Sequence, residues 1–165
     1  MIQPAPQSNA VQQDAVQAAL DAHAHRPGAM LPILHDIQHR LGFVPSDAVP
    51  AIAQRLNLSR AEVHGVVTFY HDFRDHAPGK HLVKLCRAEA CQSVGAAALE
   101  AHAKRTLGVD WHGTTADGEV TLEPVYCLGN CALGPAALVD NEPVGGLSPE
   151  KFDAMIADLR AGVTP

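Results

Sequence analysis

Cysteine is missing from this sequence except in two short stretches. LCRAEACQSVG holds Cys86 and Cys91, YCLGNCALGP holds Cys127 and Cys131, and the 165 residues contain no other. Aromatics are scarce at 4%, and basic residues are outnumbered, with 12 Lys+Arg against 18 Asp+Glu. No basic stripe is present, which argues against nucleic acid as a partner. No apolar run approaches the ~20 residues that span a bilayer, so direct membrane insertion is not expected. The opening MIQPAPQSNA has neither the basic region nor the apolar stretch of a signal peptide, and it lacks the arginines of a transit peptide. The expected location is therefore cytoplasmic, where disulfides are rare and paired cysteines hold metal or do redox chemistry. Also absent are a G-x-G-x-x-G turn after a strand, a Walker loop and a defensible nucleophile–base pair, so neither nucleotide binding nor a catalytic residue is expected in this chain.

What is present divides near DHAPGKH, giving an expected helical bundle over 1–77 and an α/β domain over 78–165. In MLPILHDIQHRLG, Met30, Ile33, Leu34, Ile37 and Leu41 recur at helical spacing, and Gly42 supplies a stop. A weaker alanine-rich helix precedes it from Val11 to about His25. Ser46 is a candidate cap for a third helix with Val49, Ile52, Ala53 and Leu56 inward, and Ser59-x-x-Glu62 forms a capping box for a fourth. Beyond Pro78-Gly79 the order is strand, helix, strand, strand, strand, helix. KHLVKLC runs into Cys86, and GEVTLEPVYC ends on Cys127. AALVDN and EPVGG read as a hairpin. Ser148, Pro149 and a Leu147–Phe152 staple open the last helix, which Gly162 ends. This is the pattern of a thioredoxin-like fold preceded by helices.

The reading puts Cys86 and Cys127 at strand ends and Cys91 and Cys131 in the loops that follow, so two strands emerging at one sheet edge would bring four thiols together. Thioredoxin-type dithiol chemistry needs C-x-x-C at a helix start, which is absent. A Rieske centre needs two histidines, and His102 and His112 lie in neither loop. A [2Fe–2S] cluster takes four thiolates, two on each iron. A structural zinc, favouring tighter C-x2-C turns than C-x4-C and C-x3-C, competes with it, as do a disulfide and unligated thiols. Gly95, Gly129 and Gly134, with Ser93 and Asn130, are candidate sources of N–H and side-chain donors to cluster sulfur, and Pro135 is a candidate cis proline.

Taken in order, GFVPSDAVPAIAQRLNLSRAEVHGVVTFYHDF, GKHLVKLC, CLGNCALGPAALVD and LSPEKFDAMIADLR resemble the thioredoxin-like [2Fe–2S] ferredoxin family from about residue 30 onward. The type is that of the E subunit of NADH-quinone oxidoreductases. The stretch CRAEACQSVGA is more similar to the gamma subunit of NAD-dependent, molybdenum-containing formate dehydrogenase. The E subunit of respiratory complex I and the diaphorase part of a bidirectional hydrogenase are the alternatives. The resemblance implies one [2Fe–2S] cluster held by Cys86, Cys91, Cys127 and Cys131. It also implies an FMN- and NADH-binding subunit as electron partner and, in the formate dehydrogenase case, a molybdenum-containing alpha subunit in the larger assembly. Two rivals remain: a zinc-braced interaction module without redox chemistry, and a thiol peroxidase or sensor.

Of the ten histidines, His23, His25, His35 and His39 are expected on polar helix faces, while His64 and His71 flank GVVTFY. Phe69–Tyr70 reads either as an aromatic anchor between bundle and sheet or as a partner contact. Lys80, Arg87 and Glu89 are candidates for guiding docking around the thiols.

Overall fold

The structure, a computed structural model, describes residues 8–163. The described residues divide into two compact units, the first running up to Pro78 and the second starting at Gly79. Most of the opening stretch MIQPAPQSNA falls outside the described residues, and helix begins at Asn9.

The first unit consists of α1 (Asn9–His23), α2 (Met30–Leu41), α3 (Ala48–Leu56) and α4 (Arg60–Phe69). Its core joins Val16, Ala19 and Leu20 of α1 to Ile33, Leu34, Ile37 and Leu41 of α2, with Ile52 and Val63 from the later helices. The apolar period of α2 thus buries the expected face, and Gly42 ends the helix at φ 84°, a left-handed position that glycine takes without a Cβ penalty. Ser46 does not cap α3, which starts two residues later after Asp47 without any side-chain cap bond. The Ser59–Glu62 capping box does form, with each side chain satisfying the other's backbone N–H. Gln38 is buried yet fully used. Its Nε2 donates to the Asp72 carbonyl at 2.7 Å, and its Oε1 accepts from the Arg74 N–H at 2.8 Å, fastening the segment after α4 to α2. His23 shares Asp36 with Arg40, at 3.1 and 2.8 Å. Phe69 is 71% exposed and set edge-on to Tyr70, which in turn meets Phe73 edge-on.

The second unit is mixed α/β, built on a four-stranded sheet of order β2-β1-β3-β4. Strand β1 (His81–Cys86) lies parallel to β2 (Val120–Val125) and antiparallel to β3 (Ala137–Val139), which turns back into β4 (Glu142–Val144). Asp140 and Asn141 make that turn at φ 48° and 76°, a conformation these residue types tolerate. The connection from β1 to β2 carries a short helix α5 (Glu89–Ser93) and α6 (Ala96–Leu107), and α7 (Pro149–Arg160) closes the unit. Val83, Leu85, Val120, Leu122 and Val139 from the sheet meet Leu99, Ala103 and Leu107 of α6 and Phe152, Ile156 and Leu159 of α7. Lys84 and Glu123, direct neighbours across β1 and β2, are both largely buried and stand 3.8 Å apart, so each charge offsets the other's desolvation. Ser148 caps α7 by accepting from the Lys151 N–H, Pro149 opens it, and the staple residues Leu147 and Phe152 are both buried. Among the described residues no helix is long and apolar enough to cross a membrane.

Two measurements test this packing. Phe152 is fully buried, so Phe152→Ala is expected to destabilise the second unit by about 3–5 kcal/mol in urea unfolding, from lost burial plus an unfilled cavity. The Arg40 hydrogen bond, then the charges of Arg40 and His23, hold the Asp36 carboxyl below its ordinary range despite its desolvation. A depressed folded value means the unfolded chain binds the proton first. The contribution is therefore complete above about pH 4 and is lost as pH falls through the folded value. Asp36→Asn should lower the urea midpoint at pH 7, and its deficit against the unaltered chain should shrink below about pH 4.

Candidate metal centre

The cysteines are placed by the strands. The β1–β2 register pairs Cys86 with Val125, so both strands end together. From that edge β1 delivers Cys86 as its last residue. The chain then enters α5 after Ala88, and Cys91 lies on this short helix, not in a loop as the sequence suggested. Strand β2 stops two residues short of Cys127, which adopts φ 77° in the connecting loop and so is not a strand terminus. Cys131 opens a single 3-10 turn, Cys131–Leu133, after which the Gly134–Pro135 bond is cis, as expected at Pro135. Sequence periodicity could not resolve α5 or the 3-10 turn, each being too short to show a repeat.

The four thiols come together as two pairs. Cys86 and Cys91 are close enough to influence one another, as are Cys127 and Cys131, and Cys131 lies within electrostatic reach of Cys86 and Cys91. The first pair is buried and the second exposed. Among the described residues, no three His, Cys, Asp or Glu side chains converge as a single ion would require. Burial pushes the Cys86 thiol up. The N–H groups of Ala88, Cys127 and Leu128 and the Cys91 thiol outweigh it and hold Cys86 below the ordinary thiol value. Burial and then the Cys86 thiol push Cys91 up against the Ala136 N–H, and the Cys127 thiol pushes Cys131 up. The backbone donors nearest the inner sulfurs thus belong to Ala88, Cys127, Leu128 and Ala136 rather than to the expected glycines. Because Cys127 and Leu128 donate to Cys86, the second cysteine loop is already folded over the first pair.

The glycines serve space instead. A Cβ on Gly134 would lie 3.0 Å from Val94 Cγ2 and 3.5 Å from Cys91 Sγ. Gly145, at the end of β4, is tighter: a Cβ there would come within 2.6 Å of Leu133 Cβ and 2.8 Å of the Leu133 carbonyl oxygen. The next residue, Gly146, donates its N–H to that carbonyl at 2.5 Å, so the β3–β4 hairpin backs the turn that presents Cys131. Gly145 carries no signal in the sequence, since only the fold brings it against Leu133. Lys80 pairs with Glu119 at 3.4 Å before the strands begin, at the sheet edge opposite the cysteines. His102 bonds Asp153 at 2.7 Å on the α6–α7 surface and takes no part in the site.

With this geometry, comparison with known proteins is informative. The description "Thioredoxin-like [2Fe-2S] ferredoxin" matches residues 16–160. The chain belongs to the thioredoxin-like [2Fe–2S] ferredoxin family, and its cofactor is accordingly a [2Fe–2S] cluster. It is 35% identical over 122 residues to the E subunit of NADH-quinone oxidoreductase from Pseudomonas aeruginosa, covering 74% of each chain. With the E subunit of the Escherichia coli K12 enzyme it shares 30% identity over 148 residues, covering 90% of this chain and 89% of that one. The subunit numbered 2 in the Thermus thermophilus enzyme is 31% identical over 138 residues, covering 83% of this chain and 76% of the relative. In fold the chain is similar to an NAD+-reducing [NiFe]-hydrogenase chain in the air-oxidized state. The TM-score is 0.62 at 22% identity over 95% of this chain, which spans only 25% of that one.

The site fits the cofactor on its own chemistry, since it offers four thiols in two pairs and N–H donors toward the inner sulfurs. Gly145→Ala should drive Leu133 and the Cys131 turn out of place, costing about 1–3 kcal/mol of stability and hastening bleaching of visible absorbance in air. Gly129→Ala, which meets open space at φ 74°, should cost only about 1 kcal/mol.

Proposed function

We propose that this chain is the electron-transfer subunit, of the E-subunit type, of an NADH-linked oxidoreductase, with Cys86, Cys91, Cys127 and Cys131 as the ligands of its [2Fe–2S] cluster. One observation carries the reading: the parallel β1–β2 pair ends in register and presents two thiol pairs on one edge of the sheet. The bound cluster accepts and releases one electron at a time. Cys86 and Cys91 form the inner pair, enclosed with Ala96 and Ala136. Cys127 and Cys131 form the outer pair, each pair suited to one iron. The N–H groups of Ala88, Cys127, Leu128 and Ala136 donate toward the inner sulfurs, stabilise negative charge there, and favour the more negative reduced state.

The surroundings suit docking against a redox partner. Val94, Tyr126 and Leu133 are exposed large apolar side chains on the same loops as the thiols. The segment from Pro124 to Val139 contains no Asp, Glu, Lys or Arg. A partner that covered this rim would bury apolar surface and exclude water from the outer thiols at little electrostatic cost. The partner that the curated relatives support is an FMN- and NADH-binding subunit, because those relatives are subunits of NADH-quinone oxidoreductase. They favour that enzyme as parent over formate dehydrogenase, for which the stretch CRAEACQSVGA is the sole support. The spacings C-x4-C and C-x3-C, wider than the C-x2-C turns of structural zinc sites, count against the zinc brace.

The deciding measurement is iron and acid-labile sulfide in anaerobically purified protein, with a low-temperature EPR spectrum after dithionite reduction. Two irons and two sulfides per chain with a rhombic spin-half signal are expected, and Cys127→Ser should lose or badly destabilise the cluster. Stoichiometric zinc without an EPR signal, or unchanged iron in Cys127→Ser, would sink the reading. Purification from its own cell distinguishes the parent enzyme, since a co-purifying molybdenum subunit would move the assignment to formate dehydrogenase.

A further inference from the structure

Beside the uncharged second cysteine loop stands one braced cation. Arg87 follows Cys86 directly, and its backbone N–H donates to the Val125 carbonyl at 2.8 Å, extending the β1–β2 ladder one residue past the strand. Its Nε donates to Glu100 Oε2 of α6 at 2.9 Å. Its Nη1 donates to the Tyr126 hydroxyl at 3.4 Å, the long end of hydrogen-bond range. Its guanidinium carbon lies 5.3 Å from the centroid of Trp111, the only tryptophan in the sequence. Lys104 sits 4.4 Å over the same ring and binds Glu100 at 3.0 Å and Asp110 at 2.9 Å. The Glu100 carboxylate, mostly buried, is therefore shared by two cations that both lean on one indole. Such a network holds the guanidinium in one direction where a free surface arginine would sample many.

Its position relative to the thiols gives the network a use. Arg87 is one residue after Cys86 and Tyr126 is one residue before Cys127. The Arg87 fork therefore spans the ends of the two strands that feed the two thiol pairs. We propose that Arg87 is a positioning residue of the cluster that also sets its reduction potential. It ties the Cys86 and Cys127 segments together through Tyr126 and carries a permanent positive charge on the residue next to Cys86 in the chain. This rests on the ligand set proposed above. Two ferric ions, two sulfides and four thiolates sum to a double negative charge, and one-electron reduction adds another. A fixed cation nearby stabilises the reduced state more than the oxidised state and so raises the potential. Arginine keeps its charge at every accessible pH, so the effect does not depend on a titration. Glu100 acts with the opposite sign, holding Arg87 in place while offsetting part of its charge.

The test is an EPR-monitored redox titration of the full chain carrying its cluster, comparing the unaltered protein with Arg87→Gln, Arg87→Lys and Glu100→Gln. Arg87→Gln is expected to shift the oxidised-to-reduced ratio at a fixed potential about tenfold toward oxidised, equivalent to about 59 mV for one electron. Glu100→Gln should shift it toward reduced, and Arg87→Lys, which keeps the charge, should restore most of the loss. Opposite signs are the signature, because general loosening of the loops would move both neutral variants the same way. Midpoints equal to that of the unaltered protein, or same-signed shifts in both neutral variants, overturn the proposal. Should Arg87→Gln fail to hold a cluster, Glu100→Gln must still raise the potential, and an unchanged value there overturns it equally. A cluster missing from the unaltered protein would instead refute the ligand set, a result read before any variant is compared.

Discussion

The site depends on the parallel ladder between β1 and β2. Parallel pairing needs a crossover of a dozen or more residues, and here α5 and α6 supply it. Because the strands run in the same direction and stay in register from His81–Val120 to Cys86–Val125, the two loops that leave them start side by side. An antiparallel pair would have put Cys86 and the Cys127 loop at opposite edges of the sheet. The buried Lys84–Glu123 neighbours resist slippage, since a shift of one strand by one residue would put the two charges on opposite faces. The turns around the thiols therefore inherit their position from a ladder in which Cys86 is the last rung.

Much of this architecture was legible in the sequence. The period of Met30–Leu41, the Ser59–Glu62 box and the Ser148, Pro149 and Phe152 signature are local signals whose chemistry does not depend on the rest of the chain, and each forms as read. The extent of β2 was overread because the run GEVTLEPVYC gives no local sign that the chain turns after Val125, where Cys127 takes φ 77°. Ser46 failed as a cap because the helix starts one turn position later, which sequence chemistry alone does not fix.

The site was legible in kind and not in detail. Spacing identified the four cysteines as one group, because two pairs in glycine-bearing loops are poorly explained as buried thiols. It could not say which N–H groups would face them. Those of Cys127 and Leu128 reach Cys86 only after the second loop has folded over the first, a contact about forty residues apart in sequence. The same limit hid Gly145 behind Leu133 and the alignment of Arg87, Glu100, Lys104 and Trp111, which lie on three separate segments.

The division of labour between scaffold and ligands has a consequence for how the protein is made. Phe152, Leu122, Val83 and their neighbours form a core apart from the small group that encloses Cys86 and Cys91. In a zinc finger, by contrast, folding and metal binding are one event. Under the proposed ligation, Cys127 and Cys131 face outward with Cys86 and Cys91 behind them, so iron and sulfide delivered to the chain would meet the outer thiols first.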